Sequence, residues 1–279
     1  IKNIYGKIED INISDGDIKL NFEKGLKLES SFESQINLNK NNLNKYDEIL
    51  EIFNFANNIN LIKGNFKNNV ILNLDNTYKV TKYSYDIQGK IEKINFKLLT
   101  PIKNSLIKED INEFSLSNFQ IKTSFAPKVI KLNGEGKYSI NNSIPSNISI
   151  KNNYKNDTIN AKLDLKYKKD FYLNFLNYQK SVGTVADISL DFQKKLDLIK
   201  INHFKFTEDK NFIKLNDIVL KEDKLQNFKK IEVFTSSNDF KIENGKKILI
   251  EGKKFDATNL TKYFANQNKD NKFKAINNE

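Results

Sequence analysis

The residues able to do acid–base or nucleophilic chemistry are few in this 279-residue chain, and their spacing argues against it. His203 is the single histidine, set in INHFKF. No cysteine and no second histidine can pair with it, so a polar-face residue on a strand is the expected role, not a general base. Carboxylates are plentiful in KEDINE (108–113), TEDK (207–210) and KEDK (221–224). Each is interleaved with lysine in a polar segment, which is the pattern of a solvated turn. No serine sits in a G-x-S-x-G elbow. GEG (134–136) lacks the Lys-Ser/Thr and the helix of a phosphate loop. SDGD (14–17) has the opening of a calcium loop without its terminal glutamate. The absence of cysteine excludes disulfides, thiolate chemistry and cysteine metal sites. The chain is read as a non-enzyme without metal or cofactor.

The formal net charge is +11, and every basic residue is lysine. Nucleic-acid binders draw on arginine for bidentate phosphate and base contacts, so no nucleic-acid partner is expected. A mild attraction to anionic membrane surfaces fits the charge equally well. Lysine, asparagine and isoleucine dominate, the bias of an AT-rich coding sequence. There is no methionine, which implies a piece of a longer protein. No apolar run reaches the length of a membrane span, and no signal peptide is visible.

The elements that would carry any site are strands. In INAKLDLKYK (159–168), Ile159, Ala161, Leu163, Leu165 and Tyr167 alternate with Asn160, Lys162, Asp164, Lys166 and Lys168. That period of two places one greasy and one wet face on a strand. The sets Leu26, Leu28 and Phe32, then Val70, Leu72 and Leu74, then Phe171, Leu173 and Phe175 repeat it, with Ile231, Val233, Ile248 and Ile250 following. Turn signals stand between them: SDGD at 14–17, EKG at 23–25, NNSIPSN at 141–147, KKD at 168–170 and ENGK at 243–246. Two stretches have helical spacing instead. Leu43, Tyr46, Leu50 and Phe53 recur in 42–59, and Leu260, Tyr263 and Phe264 in 256–267, where Asp256 or Thr258 can cap. The expectation is a mainly β fold, a long antiparallel meander with two short helices. A single elongated segment over 1–266 is followed by a polar tail over 267–279.

One decapeptide occurs twice, as IYGKIEDINI (4–13) and IQGKIEKINF (87–96). The pairs Ile4/Ile87, Gly6/Gly89, Lys7/Lys90, Ile8/Ile91, Glu9/Glu92, Ile11/Ile94 and Asn12/Asn95 are identical. The repeat predicts two equivalent strands, each entered at its glycine, in a quasi-repetitive body. The competing explanation is coincidence in a composition rich in these residues.

The G-x-I/L-x-x-[IL]-x-[IF] strand openings and the ending IEGKKFDATNLTKYF (250–264) resemble the AsmA-like superfamily, in its YhdP-like branch. The matching residues are Gly252, Phe255, Asp256, Ala257 and Leu260, and the passage from the helical stretch into INLIKGNFKN (59–68) is similar too. The resemblance implies a repeating β-groove protein of the Gram-negative envelope, its long curved sheet folded into an open trough. It implies a periplasmic segment, anchored to the inner membrane by an N-terminal helix outside this sequence. Its role would be to pass phospholipid between inner and outer membrane without a chemical step. On that reading Leu26, Leu28, Phe32, Val70, Leu72, Leu74, Ile159, Ala161, Leu163, Leu165, Phe171, Leu173 and Phe175 line the groove. Physical reasoning is compatible, because an apolar sheet face must be covered by something, and acyl chains will serve. The alternatives are a structural or adhesive β protein that fills its own core and, less favoured, a sugar-acting β enzyme.

Overall fold

The computed structural model describes residues 1–8, 10–22, 25–43, 58–103, 106–222 and 224–259. Strand takes 74% of the described residues, so the mainly β expectation holds. Among the described residues, sixteen strands form one antiparallel sheet that does not close into a barrel. Its order follows the sequence almost throughout. The contacts divide the chain into two compact units. The first comprises Ile1–Ile102, Ile111–Leu165 and Phe192–Leu196; the second comprises Lys103–Asp110, Lys166–Asp191 and the chain from Asp197.

Unit 1 is built on β1 (Ile4–Ile8), β2 (Ile11–Asn21), β3 (Leu26–Asn39), β4 (Ile59–Leu74), β5 (Val80–Ile102), β6 (Ile111–Ala126), β7 (Val129–Ile140), β8 (Ser146–Lys155) and β9 (Thr158–Tyr167, whose last two residues belong to unit 2). Each pairs antiparallel with its predecessor. The alternation in β9 is realised residue by residue. Ile159, Ala161, Leu163 and Leu165 are half-buried, while Asn160, Lys162, Asp164 and Lys166 are exposed. The same register carries apolar side chains into one core: Leu38, Phe66, Ile91, Ile94, Phe119, Tyr138 and Ile148 are buried together, with Ile36, Ile62, Leu116 and Ile121 packed against them.

Two phenylalanines fix how closely these strands approach. The Phe66 ring lies over Gly64 on its own strand and over Gly89 opposite; a Cβ at Gly89 would stand 2.1 Å from Asn65 O and 2.8 Å from Phe66 Cα. Phe119, 2% exposed, lays its ring over Gly134, while its Cα and Cβ come up against Gly136. The two glycines of GEG thus make room, in mid-strand, for one phenylalanine and its backbone.

The repeated decapeptide does not form equivalent strands, which corrects the sequence expectation. In the first copy the chain reverses, so that Ile8 pairs with Ile11 across a hairpin between β1 and β2. The second copy stays inside the 23-residue β5, where the register slips by one residue between Ile91 and Lys93. The two have one physical cause. Ile8/Ile11 and Ile91/Ile94 are three apart, and a regular strand would send them to opposite faces. A turn in one copy and a bulge in the other return both isoleucines to the same face. The SDGD turn is likewise a bulge within β2, between Ser14 and Asp17, with Asp15 at φ 51°.

Unit 2 uses β10 (Phe171–Leu173), β11 (Tyr178–Lys180), β12 (Ala186–Lys195, whose end belongs to unit 1), β13 (Leu198–Glu208), β14 (Asn211–Lys221), β15 (Lys224–Asn227), β16 (Lys230–Phe234), β17 (Asp239–Asn244) and β18 (Ile248–Lys254). β10 and β11 make a separate two-stranded sheet around a 3-10 turn, Asn174–Leu176.

The two expected helices fall mainly on residues 44–57 and 260–267, outside the described ones. At their borders, α1 (Lys40–Leu43) is capped by the Asn39 carboxamide, which accepts from the backbone of Asn41 at 2.9 Å. Asp256 accepts from the Thr258 backbone at 2.9 Å. No described helix is long and apolar enough to cross a membrane.

The two decapeptide glycines give a matched test. Gly89→Ala is expected to destabilise by about 1–3 kcal/mol, because backbone must move to admit the methyl. Gly6→Ala, with nothing within 4 Å of its Cβ, should change stability by less than about 0.5 kcal/mol. Urea unfolding of the two variants beside the parent measures both; equal effects would contradict the packing described.

Candidate functional site: an apolar sheet face

In an antiparallel sheet, directly opposed residues point to the same face. The pairings therefore assemble cross-strand rows in unit 1. One row is Leu38, Ile62, Ile94, Leu116, Tyr138 and Ser146. A second is Ser34, Phe66, Gly89, Ile121, Gly134, Ile150 and Leu163. A third is Ser30, Val70, Tyr85, Phe125, Ile130, Tyr154 and Ile159. Leu28 with Leu72, and Leu26 with Leu74, continue the face along β3 and β4. No residue in these rows is charged.

Burial falls along the strands. The first row is held in the core, where Leu38, Ile94 and Tyr138 are each no more than 6% exposed, and burial pushes the Tyr138 hydroxyl up to about 12. The third row is half-buried, with Tyr85 stacked on Phe125 at 6.1 Å between centroids. Beyond it Leu20, Val80 and Tyr83 are open to solvent, Val80 at 52%. The apolar face thus has a closed end and an open end.

A polar belt crosses this face, and most of its groups pair within the protein. Asn68, 4% exposed, donates to Ser34 Oγ at 2.9 Å and to Phe32 O at 3.3 Å, and accepts from Tyr85 OH at 2.8 Å. Thr123 donates to Lys131 O at 2.8 Å. In the same row the Asn152 side-chain oxygen is buried without a hydrogen-bond partner, an acceptor left for a donor from elsewhere.

Ten of the thirteen candidate lining residues lie on this one face: Leu26, Leu28, Phe32, Val70, Leu72, Leu74, Ile159, Ala161, Leu163 and Leu165. The other three belong to unit 2. Phe171 and Leu173 are on β10, and Phe175 sits on the 3-10 turn, not on a continuing strand.

In unit 2 the comparable face is filled by the protein itself. Phe171 stacks on the fully buried Phe206 at 5.2 Å, and Tyr178 meets the same ring edge-on at 5.8 Å. Ile213 and Val233 are buried opposite one another in the neighbouring strands. Buried polar groups pin the β10–β11 lobe. Asn238 donates to Leu176 O at 2.7 Å, and its own oxygen accepts from the Asp256 backbone at 2.9 Å. Glu208, 6% exposed, accepts from Tyr178 OH and Thr184 Oγ1. This corrects the reading of TEDK as a solvated turn. The signal available in sequence was Glu208 at the apolar parity of β13, in step with Phe204 and Phe206. Burial, followed by the Glu208 carboxylate, raises the Tyr178 pKa.

Lys180 is fully buried and donates to Lys169 O at 2.8 Å and Ser181 O at 3.0 Å; desolvation holds its pKa below the usual lysine value. His203 Nδ1 lies 3.0 Å from the oxygen of Asn216, directly opposite on β14. Among the described residues no group of three or more His, Cys, Asp or Glu is placed to hold a metal ion. Compared with family models, curated proteins and solved structures, the chain matches none.

Two outcomes test the unit 2 anchor. Glu208→Ala should lower unit 2 stability by about 3 kcal/mol, since it strands the buried Tyr178 hydroxyl and removes two charge-assisted hydrogen bonds. Glu208→Gln, which keeps one acceptor, should lose less; fluorescence-monitored denaturation reads the difference. Acid gives the second. Hydrogen bonds from Thr258 and then Asn177 hold Asp256 at about 2, below the ordinary aspartate value, so its contribution is full above about 4 and is lost as pH falls through about 2. Asp256→Asn should flatten stability across that acid window and leave neutral-pH titration unchanged.

Proposed function

We propose that unit 1 is a segment of a lipid conduit of the Gram-negative envelope, an AsmA-like protein of the YhdP-like branch. Its sheet would curve into an open trough that shields phospholipid acyl chains between inner and outer membrane. The observation that carries this reading is the uncharged apolar face, continuous across β3–β9, closed at one end and open at the other. Its dimensions suit the cargo. The 14 residues of β3 extend about 45 Å at roughly 3.3 Å each, longer than one leaflet's acyl chain of about 15 Å. Each methylene withdrawn from water contributes about 0.8 kcal/mol, which binds a chain without any catalytic residue. The segment would lie in the periplasm and reach the inner and outer membranes through other parts of a longer chain.

Unit 2 favours a second reading, a structural or adhesive β protein without lipid. There the β10–β11 lobe fills the apolar face, as a self-contained core requires.

Counting phospholipid bound to purified protein by native mass spectrometry separates the two. The parent should carry lipid. Leu163→Lys, on the apolar face, should carry much less, while Lys162→Glu on the exposed face should match the parent. Thermal midpoint and circular dichroism must be unchanged for the comparison to count. Equal lipid in a folded Leu163→Lys protein removes β9 from the conduit, and lipid in none of the three favours the structural reading.

A further inference from the structure

The opposite face of the unit 1 sheet has a chemistry of its own. One row runs Lys67, Gln88, Lys122, Asn133, Lys151 and Lys162, one residue from each of β4 to β9, and all six are exposed. Neighbouring strands lie about 5 Å apart, so the row spreads its charge over about 24 Å. Lys67 is engaged by Glu33 at 3.0 Å. Lys90 and Lys131 flank the row, and Asp86, Glu135 and Asp164 interrupt the face without balancing it.

The residue types select the partner. The charge is carried by lysine alone, and every phenylalanine and tyrosine paired across β4–β9 lies on the apolar face or at its margins. A face without arginine forks or aromatic platforms has nothing to read or stack a base. Point charges spread across an open sheet match an extended array of phosphates, where each lysine adds its own increment. We propose that this lysine row docks unit 1 on an anionic membrane surface by phospholipid headgroup charge, with the apolar face turned away from that surface.

The proposal does not rest on the conduit reading. Uptake of a lipid by the apolar face needs no headgroup charge and would appear with zwitterionic vesicles, so the two fail separately. The test is sedimentation of the full chain with vesicles of phosphatidylcholine alone or mixed with phosphatidylglycerol, at low and physiological salt. The parent should bind only the mixed vesicles, and less as salt rises. The triple variant Lys122→Gln, Lys151→Gln, Lys162→Gln should bind them about a hundredfold more weakly, at about fivefold per lysine. A control with the same net charge, Lys210→Gln, Lys246→Gln, Lys253→Gln, changes exposed unit 2 lysines and should stay close to the parent. Should the triple variant fail to fold by circular dichroism, Lys122→Gln and Lys151→Gln singly carry the test at about fivefold each. Equal weakening by both triple variants would reduce the effect to net charge and overturn the proposal. Equal binding to the two vesicle types, or single-stranded DNA bound with the same dependence on the row, would also overturn it.

Discussion

Everything in unit 1 depends on register. The side-chain period of a strand is two, so one slipped residue anywhere from β3 to β9 would carry lysines onto the apolar face and isoleucines off it. The Coulombic and desolvation cost of burying even one of those ammonium groups exceeds what any hairpin gains from its turn. Hydrophobic alternation therefore sets the pairing, and the turns comply. Where the sequence falls out of step, as at Ser14–Asp17 and Ile91–Lys93, the backbone bulges and the faces stay pure. Packing then sharpens the alignment: a phenylalanine seated on a glycine of the next strand fits in one register only.

How much of this was legible follows from the same rule. Strand identity was plain in 159–168, because its alternation is unbroken and its faces differ sharply in polarity. Ten candidate lining residues share a face for that reason. Bulges were not legible: I-x-x-I in GKIEDINI and GKIEKINF signals that parity must break, but hairpin and bulge satisfy it equally, and the choice is made by which strands lie beside it. Phe171, Leu173 and Phe175 alternate like their counterparts, yet the lobe turns at Asn174–Leu176. Glu208 looked like one of several solvated acids, since its acceptor role needs Tyr178 and Thr184 from a segment some 30 residues earlier.

The two units answer one physical problem in different ways. An amphipathic sheet exposes an apolar face that water will not wet favourably. Unit 2 covers its face with β10–β11 and secures the lobe by Asn238 and Glu208, whose hydrogen bonds to it would be lost if the lobe lifted. The described part of unit 1 grades from a buried row to an exposed one, with Asn68, Ser34 and Tyr85 paired among themselves where a polar belt crosses it.

The strand order carries a consequence for how such a chain reaches its fold. From β1 to β9 each strand lies beside the one synthesised just before it, so every pairing closes a loop of hairpin size or little more, apart from the span between β3 and β4. Short closures lose little chain entropy, and low contact order favours rapid folding. A ribosome could therefore deliver this sheet as a zipper, each hairpin templated on the finished edge. That edge stays exposed until the next strand arrives, and the lysines along it discourage pairing with a neighbouring chain in the interval.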